Sequence, residues 1–159
     1  MNKQNGKIRK LLAAIDFSLY SRPVLEYADE IAGVTNAEVY VINIINHKGI
    51  DYIEKAVNKE RPDSFNLAKH LAEESGRREL KLKAMIKNIN SLDEKKVKII
   101  IGNGVPYVEI LDAVDREEID FLVFGAKGRS NLQGFLFGGV AEKLFRHSPV
   151  PVMSLRSKL

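Results

Sequence analysis

Apolar residues recur along this chain in two alternating patterns: short runs that are apolar nearly throughout, and longer stretches that are apolar at every third or fourth position. Continuous β-branched runs suit strands covered on both faces, and the three-to-four spacing suits helices with one buried side. Residues 8–16 turn apolar toward their end and predict a first strand. Val24, Ala28 and Ile31 then recur at helical spacing, with Pro23 near the helix start and Gly33 near its end. Residues 39–45 are apolar and largely β-branched, which predicts a strand near the sheet centre. Residues 46–63 are the least regular stretch; Asp63 or Ser64 is then placed to cap a long helix reaching Ile89. Leu67, Leu71, Leu82, Ile86 and Ile89 form its apolar stripe, and the polar middle around Gly76 is expected to be kinked or exposed.

A third strand is expected over 97–101, followed by a helix opened by Pro106 whose Tyr107, Ile110, Leu111 and Val114 follow the i, i+3, i+4, i+7 rule. A fourth strand spans 119–125, a last helix carries Val140, Ala141, Leu144 and Phe145, and Val150-Pro151-Val152-Met153-Ser154-Leu155 closes the chain as a strand. Strands that alternate with helices imply a parallel sheet, because parallel neighbours need crossover connections, and these are right-handed. The expected class is α/β, one doubly wound five-stranded parallel sheet with helices on both faces. Ligands of such sheets bind outside the carboxyl ends of the strands, at the point where strand order reverses.

Composition narrows the function classes. At 159 residues the chain is expected to be a single domain, with a polar tail over residues 1–6. Cysteine is absent, which excludes disulfides, thiol catalysis and thiolate metal sites. No apolar run approaches the ~18 residues of a membrane span, so a soluble cytoplasmic protein is expected. The net charge of +4 favours anionic partners only mildly. Basic and acidic residues are mixed, as in Glu73-Glu74-Ser75-Gly76-Arg77-Arg78-Glu79, which reads as solvated surface; nucleic-acid binding is not expected.

The most informative stretch is Gly125-Ala126-Lys127-Gly128-Arg129-Ser130-Asn131-Leu132-Gln133-Gly134-Phe135-Leu136-Phe137-Gly138-Gly139-Val140, between the fourth strand and the last helix. Glycines there let backbone N–H groups approach a ligand, and a helix N-terminus adds partial positive charge, so the arrangement suits a phosphate. The spacing of Gly125, Gly128 and Gly138 resembles the nucleotide-binding signature of the universal stress protein family. Further landmarks follow in order: Ile15-Asp16-Phe17-Ser18, Val39-Tyr40-Val41-Ile42-Asn43, Ile101-Gly102-Asn103-Gly104-Val105-Pro106 and His147-Ser148-Pro149-Val150-Pro151-Val152-Met153. The resemblance runs from about Lys7 to Arg156 and implies strand order 3-2-1-4-5, with the switch point between strands 1 and 4.

The same resemblance implies roles. Asp16 would accept hydrogen bonds from ribose hydroxyls or the base, its alternative being a cap for the following helix. Backbone groups of Ile42 would lie beside an adenine edge, with Ala14 and Phe124 as apolar walls; ordinary core is the alternative for all three. Gly102 and Gly104 would approach the ligand, or simply make a tight turn. Gly125 and Gly128 would carry the loop around the phosphates, and Gly138, Gly139 and Val140 would present N–H groups to them. Lys127 and Arg129 are candidates for added charge near the phosphates, or are solvated. The implied ligand is ATP, or ADP or AMP, with Mg²⁺ shielding the phosphates. In one respect the chain departs from nucleotide-binding members, where a Ser or Thr follows the glycine matching Gly138; here Gly139 stands there, and one hydroxyl is lost.

Hydrolytic chemistry has little support. No Gly-x4-Gly-Lys-Ser/Thr loop is present, and His47, His70 and His147 fall in unrelated places, so at most slow ATP turnover is expected, below roughly 1 s⁻¹. The final strand would lie at a sheet edge, where unpaired backbone invites pairing, and the resemblance implies a homodimer through it. Two other readings remain: a nucleotide-independent dimeric module of the same family, favoured by Gly139, and a phosphoacceptor domain, disfavoured because Ile101-Gly102-Asn103 offers no Asp after strand 3.

Overall fold

Side chains alternate across a strand, so in a sheet covered on both sides successive residues enter different cores. The computed structural model, which describes residues 7–46, 59, 66–89, 92, 96–127 and 138–156, follows this rule. Its elements are β1 (Lys10–Ala14), α1 (Ser21–Thr35), β2 (Glu38–Asn46), α2 (Leu67–Lys87), β3 (Lys98–Gly104), α3 (Pro106–Arg116), β4 (Phe121–Gly125), α4 (Gly139–His147) and β5 (Val152–Leu155). The five strands are all parallel, in the order β3-β2-β1-β4-β5. This is the doubly wound α/β architecture expected from the sequence.

Leu11 and Ala13 of β1, Val39 and Val41 of β2 and Val123 of β4 share one core with Val24, Leu25 and Ala28 of α1 and Leu82 and Ile86 of α2. Leu12, Tyr40, Ile42, Leu122 and Phe124 point the other way, onto Ile110, Ala113 and Val114 of α3 and Ala141 and Leu144 of α4. Thus α1 and α2 cover one face, α3 and α4 the other. Leu11, Leu12 and Leu122 are 0% exposed, and burying each side chain contributes roughly 1.5–3 kcal/mol.

Element ends agree with the sequence expectation in part. Helix α1 ends at Thr35, two residues past Gly33 as expected, and Asn36, with a left-handed φ of 57° and an N–H bond to the Ala32 carbonyl at 2.8 Å, closes it. Asn tolerates that conformation better than other side-chain-bearing residues. Helix α2 is capped by Asn66, which accepts the Lys69 N–H at 3.0 Å, and runs unbroken past Gly76, which is exposed, one of the two outcomes expected there; Asp63 and Ser64 lie outside the described residues. Phe145, expected on the buried stripe of the last helix, is 60% exposed; Ala141 and Leu144 alone carry the buried side of α4. Strand β3 continues through Gly102, Asn103 and Gly104, pairing with Ile44, Ile45 and Asn46.

Candidate functional site

The chain leaves β1 for α1 on one face of the sheet and leaves β4 for α4 on the other, so a crevice opens where β1 and β4 lie side by side. A cavity of about 480 Å³ occupies it, within the usual range for small-molecule sites. Ala14, Ile42 and Phe124 line it from the strands, Pro106 and Ile110 from α3, and Ala141 and Leu144 from α4. Polar groups border it at Asp16, Asn43, Asn46, Arg78 and Lys127, along with the backbone of Gly125, Gly138, Gly139 and Val140.

Asp16 stands between the end of β1 and the start of α1. Its Oδ1 accepts the Ser18 N–H at 2.9 Å and the Ser21 hydroxyl at 3.5 Å, holding the entry to α1, while the residue also lines the cavity. The turn that aims it there is completed by Phe17 at a φ of 62°, uncommon for a bulky residue. The Phe17 ring packs on the α1–α2 core, and the Lys81 ammonium lies 4.3 Å from its centroid.

At the other end of the crevice stands the start of α4. Helix N-termini leave backbone N–H groups without intrahelical partners and carry partial positive charge. Gly138 precedes the first turn in extended conformation and offers no side-chain cap. Its own N–H is spent, donating to the Ala126 carbonyl at 2.8 Å, so Gly138 closes the base of the loop rather than offering that donor to a ligand. Gly139 and Val140 head the helix, and the space where a Cβ of Gly139 would stand is open to 4 Å. Gly125 is required for packing: a Cβ there would meet Tyr20 Cβ at 2.5 Å and Tyr20 Cγ at 3.0 Å. Gly128 and Arg129 lie outside the described residues.

Two sequence expectations change. Gly102 does not line the cavity; it sits within β3, where a Cβ would stand 2.6 Å from Ile44 Cδ1, so close strand packing accounts for it. Gly104 ends that strand at a φ of 143°, against the Glu109 side chain. Ile42 borders the cavity, and its carbonyl accepts the Ile15 N–H at 2.9 Å.

The structure also supplies a group that the sequence reading left on the surface. Arg78 and Glu74, one turn apart on α2, are each only 16% exposed at the side chain, with Arg78 Nε donating to Glu74 Oε1 at 2.7 Å. Arg78 Nη1 donates to Asn43 Oδ1 at 2.8 Å and to the Ile44 carbonyl at 3.1 Å. Asn43, 2% exposed, turns its Nδ2 to the Ile15 carbonyl at 2.6 Å. This chain of bonds ties α2, the end of β2 and the end of β1 together beside Asp16. Burial pushes the Arg78 guanidinium below its ordinary value, although an arginine stays charged under any ordinary condition. The available signals were the i, i+4 spacing of Glu74 and Arg78 and an asparagine inside an apolar strand.

Fold and site together define a doubly wound α/β protein with a crevice at its switch point, bordered among the described residues by the Asp16 carboxylate and the N-terminus of α4. The universal stress protein family model matches residues 7–156, and the chain belongs to that family. It is similar to universal stress protein MJ0577 of Methanocaldococcus jannaschii, 26% identical over 159 aligned residues that cover 94% of this chain and 96% of that one. The solved structure of MJ0577 matches with a TM-score of 0.74, covering 96% of this chain and 99% of that one. A universal stress protein solved in complex with cAMP is 21% identical with a TM-score of 0.58, covering 94% of this chain and 97% of that one. Another, from Archaeoglobus fulgidus and in complex with dAMP, is 18% identical with a TM-score of 0.54, covering 94% and 98%. At those identities the last two show a shared fold.

Proposed function

We infer that this chain is a nucleotide-dependent regulatory module of the stress response, binding ATP, ADP or AMP in the switch-point crevice. One observation carries the reading: in a member of this family, the cavity places Asp16 and the N-terminus of α4 on the same 480 Å³ space. Phosphates fit the α4 end, where the N–H groups of Gly139 and Val140 head the helix, and ribose hydroxyls fit the Asp16 carboxylate. Ala14 and Phe124 supply apolar walls. The complexes of two proteins of this fold with cAMP and dAMP support an adenine nucleotide. In this reading Mg²⁺ arrives on the phosphates and shields their charge.

Gly139→Ser tests the phosphate end. The open space beside Gly139 admits a hydroxymethyl group without repacking. One added hydrogen bond, worth roughly 0.5–1.5 kcal/mol, should tighten ATP binding about two- to thirteen-fold in titration calorimetry. Unchanged affinity would remove this position from the phosphate site. The competing reading, a nucleotide-independent module, is favoured by the missing hydroxyl and by the spent N–H of Gly138. It wins if neither MgATP, ADP nor AMP raises the unfolding temperature at millimolar concentration.

Self-association through β5 belongs to the same proposal. That strand lies at the sheet edge beside β4, and exposed edges pair readily. Light scattering at micromolar concentration should give a dimer; a strict monomer would end this part of the reading.

A further inference from the structure

The chain leaves β1 through a residue in an unusual conformation. Phe17, directly after Asp16, has a φ of 62°, a left-handed backbone that Cβ sterics disfavour and that is uncommon for a bulky side chain. The other described non-glycine residues with positive φ, Asn36 and Glu118, follow the ends of α1 and α3, where left-handed residues commonly close helices. Phe17 precedes a helix, so that explanation does not reach it. Strained residues persist where their surroundings fix them, and they gather at binding sites.

What fixes Phe17 is α2. Its ring packs against the core shared by α1 and α2, with the Lys81 ammonium 4.3 Å from the ring centroid. Arg78, three residues earlier on α2, donates to Asn43 Oδ1 at 2.8 Å, and Asn43 Nδ2 donates to the Ile15 carbonyl at 2.6 Å. One helix therefore holds the residues on both sides of Asp16. Between them the Asp16 carboxylate accepts the Ser18 N–H at 2.9 Å and borders the cavity, which Phe17 itself does not line. An influence of Phe17 on a ligand there passes through its neighbour.

We propose that Phe17 is a positioning residue of the nucleotide site: its ring, anchored on α2, holds the left-handed turn that sets the Asp16 carboxylate for ribose hydroxyls before a nucleotide arrives. This rests on the nucleotide reading above and names what prepares its ribose-binding group. Without the ring the turn is free to relax toward negative φ, and the ligand has to order it again on binding.

Titration calorimetry of the full chain with MgATP and with the Mg²⁺ complex of 2′,3′-dideoxy-ATP, which lacks the ribose hydroxyls, tests it. The unaltered chain should bind ATP about 10- to 150-fold more tightly than dideoxy-ATP, the factor for hydrogen bonds to a charged group. Phe17→Gly accepts the left-handed turn without anchoring it. It should weaken ATP about fivefold or more, the factor for ordering one residue's backbone at the moment of binding, and leave dideoxy-ATP within about twofold. Phe17→Tyr keeps the ring and should keep the ATP-to-dideoxy-ATP affinity ratio of the unaltered chain. If Phe17→Gly does not melt cooperatively, Phe17→Leu retains an apolar contact with the core, loses the ring under Lys81, and should lower the ratio about two- to fivefold. Equal weakening of both ligands, a ratio unmoved in the ringless variant that folds, or a Phe17→Tyr ratio as low as that of Phe17→Gly would each overturn the assignment of Phe17. Equal binding of the two nucleotides by the unaltered chain would remove the ribose role of Asp16 and this inference with it. Failure of both to bind would overturn the nucleotide reading itself.

Discussion

Gly125→Ala is expected to lower the unfolding temperature by about 2–12 °C, although it adds one methyl group. The new Cβ would meet Tyr20 Cβ at 2.5 Å, Tyr20 Cγ at 3.0 Å and the Lys127 carbonyl at 3.3 Å. Tyr20 is 8% exposed and precedes the first residue of α1, and its Cβ is fixed to the backbone, so relief requires the start of α1 to move away from the end of β4. Overpacking of this kind costs about 1–3 kcal/mol, and a domain of this size loses about 2–4 °C per kcal/mol. The two segments that separate are those carrying Asp16 and Gly125, so nucleotide affinity should fall as well. Gly139→Ala is the matched control. It meets nothing within 4 Å and lies at the head of α4, where it should leave stability unchanged or raise it by about 0.4–1 kcal/mol. Equal melting temperatures for the two variants would refute the packing role assigned to Gly125.

For Asp16→Ala, the stabilisation expected from MgATP should fall by about half or more. A ligand at one hundred times its dissociation constant stabilises by about 2.7 kcal/mol, a rise of roughly 5–11 °C for a domain of this size. Loss of a charged acceptor for ribose hydroxyls, at about 1.5–3 kcal/mol, weakens binding roughly 10- to 150-fold and removes about half to nine-tenths of that rise at the same ligand concentration. The variant also loses the bonds from the Ser18 N–H and Ser21 hydroxyl, so its ligand-free melt should fall too, by about 1 kcal/mol as for a lost helix cap. Asp16→Asn separates the two roles, since its amide oxygen still accepts the Ser18 N–H. The ligand-free melt should then stay near that of the unaltered chain while the nucleotide shift remains reduced. A full MgATP shift in both variants would show that the carboxylate only holds the entry to α1.

Much of the fold was legible because local pattern and tertiary role agree. Continuous apolar runs marked β1, β2 and β4, and Pro106 marked the start of α3, where its missing N–H is not needed. Element ends were less legible where two residues compete for one task. Gly33 and Asn36 both suit a helix end, and the chain uses Asn36; Gly102 looked like a turn and is a strand residue held open for Ile44. Of the site, the glycine spacing and Asp16 were visible as a motif, and the resemblance they support supplied the strand order that periodicity does not contain. Arg78 was invisible in that sense. It sits in a mixed-charge stretch that reads as solvated helix surface, and only the packing of α2 against the end of β2 buries it beside Asn43.

The sequence by itself determined the class of this protein, because the buried faces of strands and helices are written in residue periods of two and 3.6 and need no knowledge of neighbours. It also placed an acid after the first strand and glycines before the last helix. Tertiary structure alone decided which hydrogen-bonding groups remain for a ligand. The Gly138 N–H is taken by a carbonyl 12 residues away, and the Ile42 and Ile44 carbonyls each accept one bond from a partner 27 or 34 residues away in the chain. Such pairings depend on which strand ends and helices meet in space, and local sequence carries no record of that.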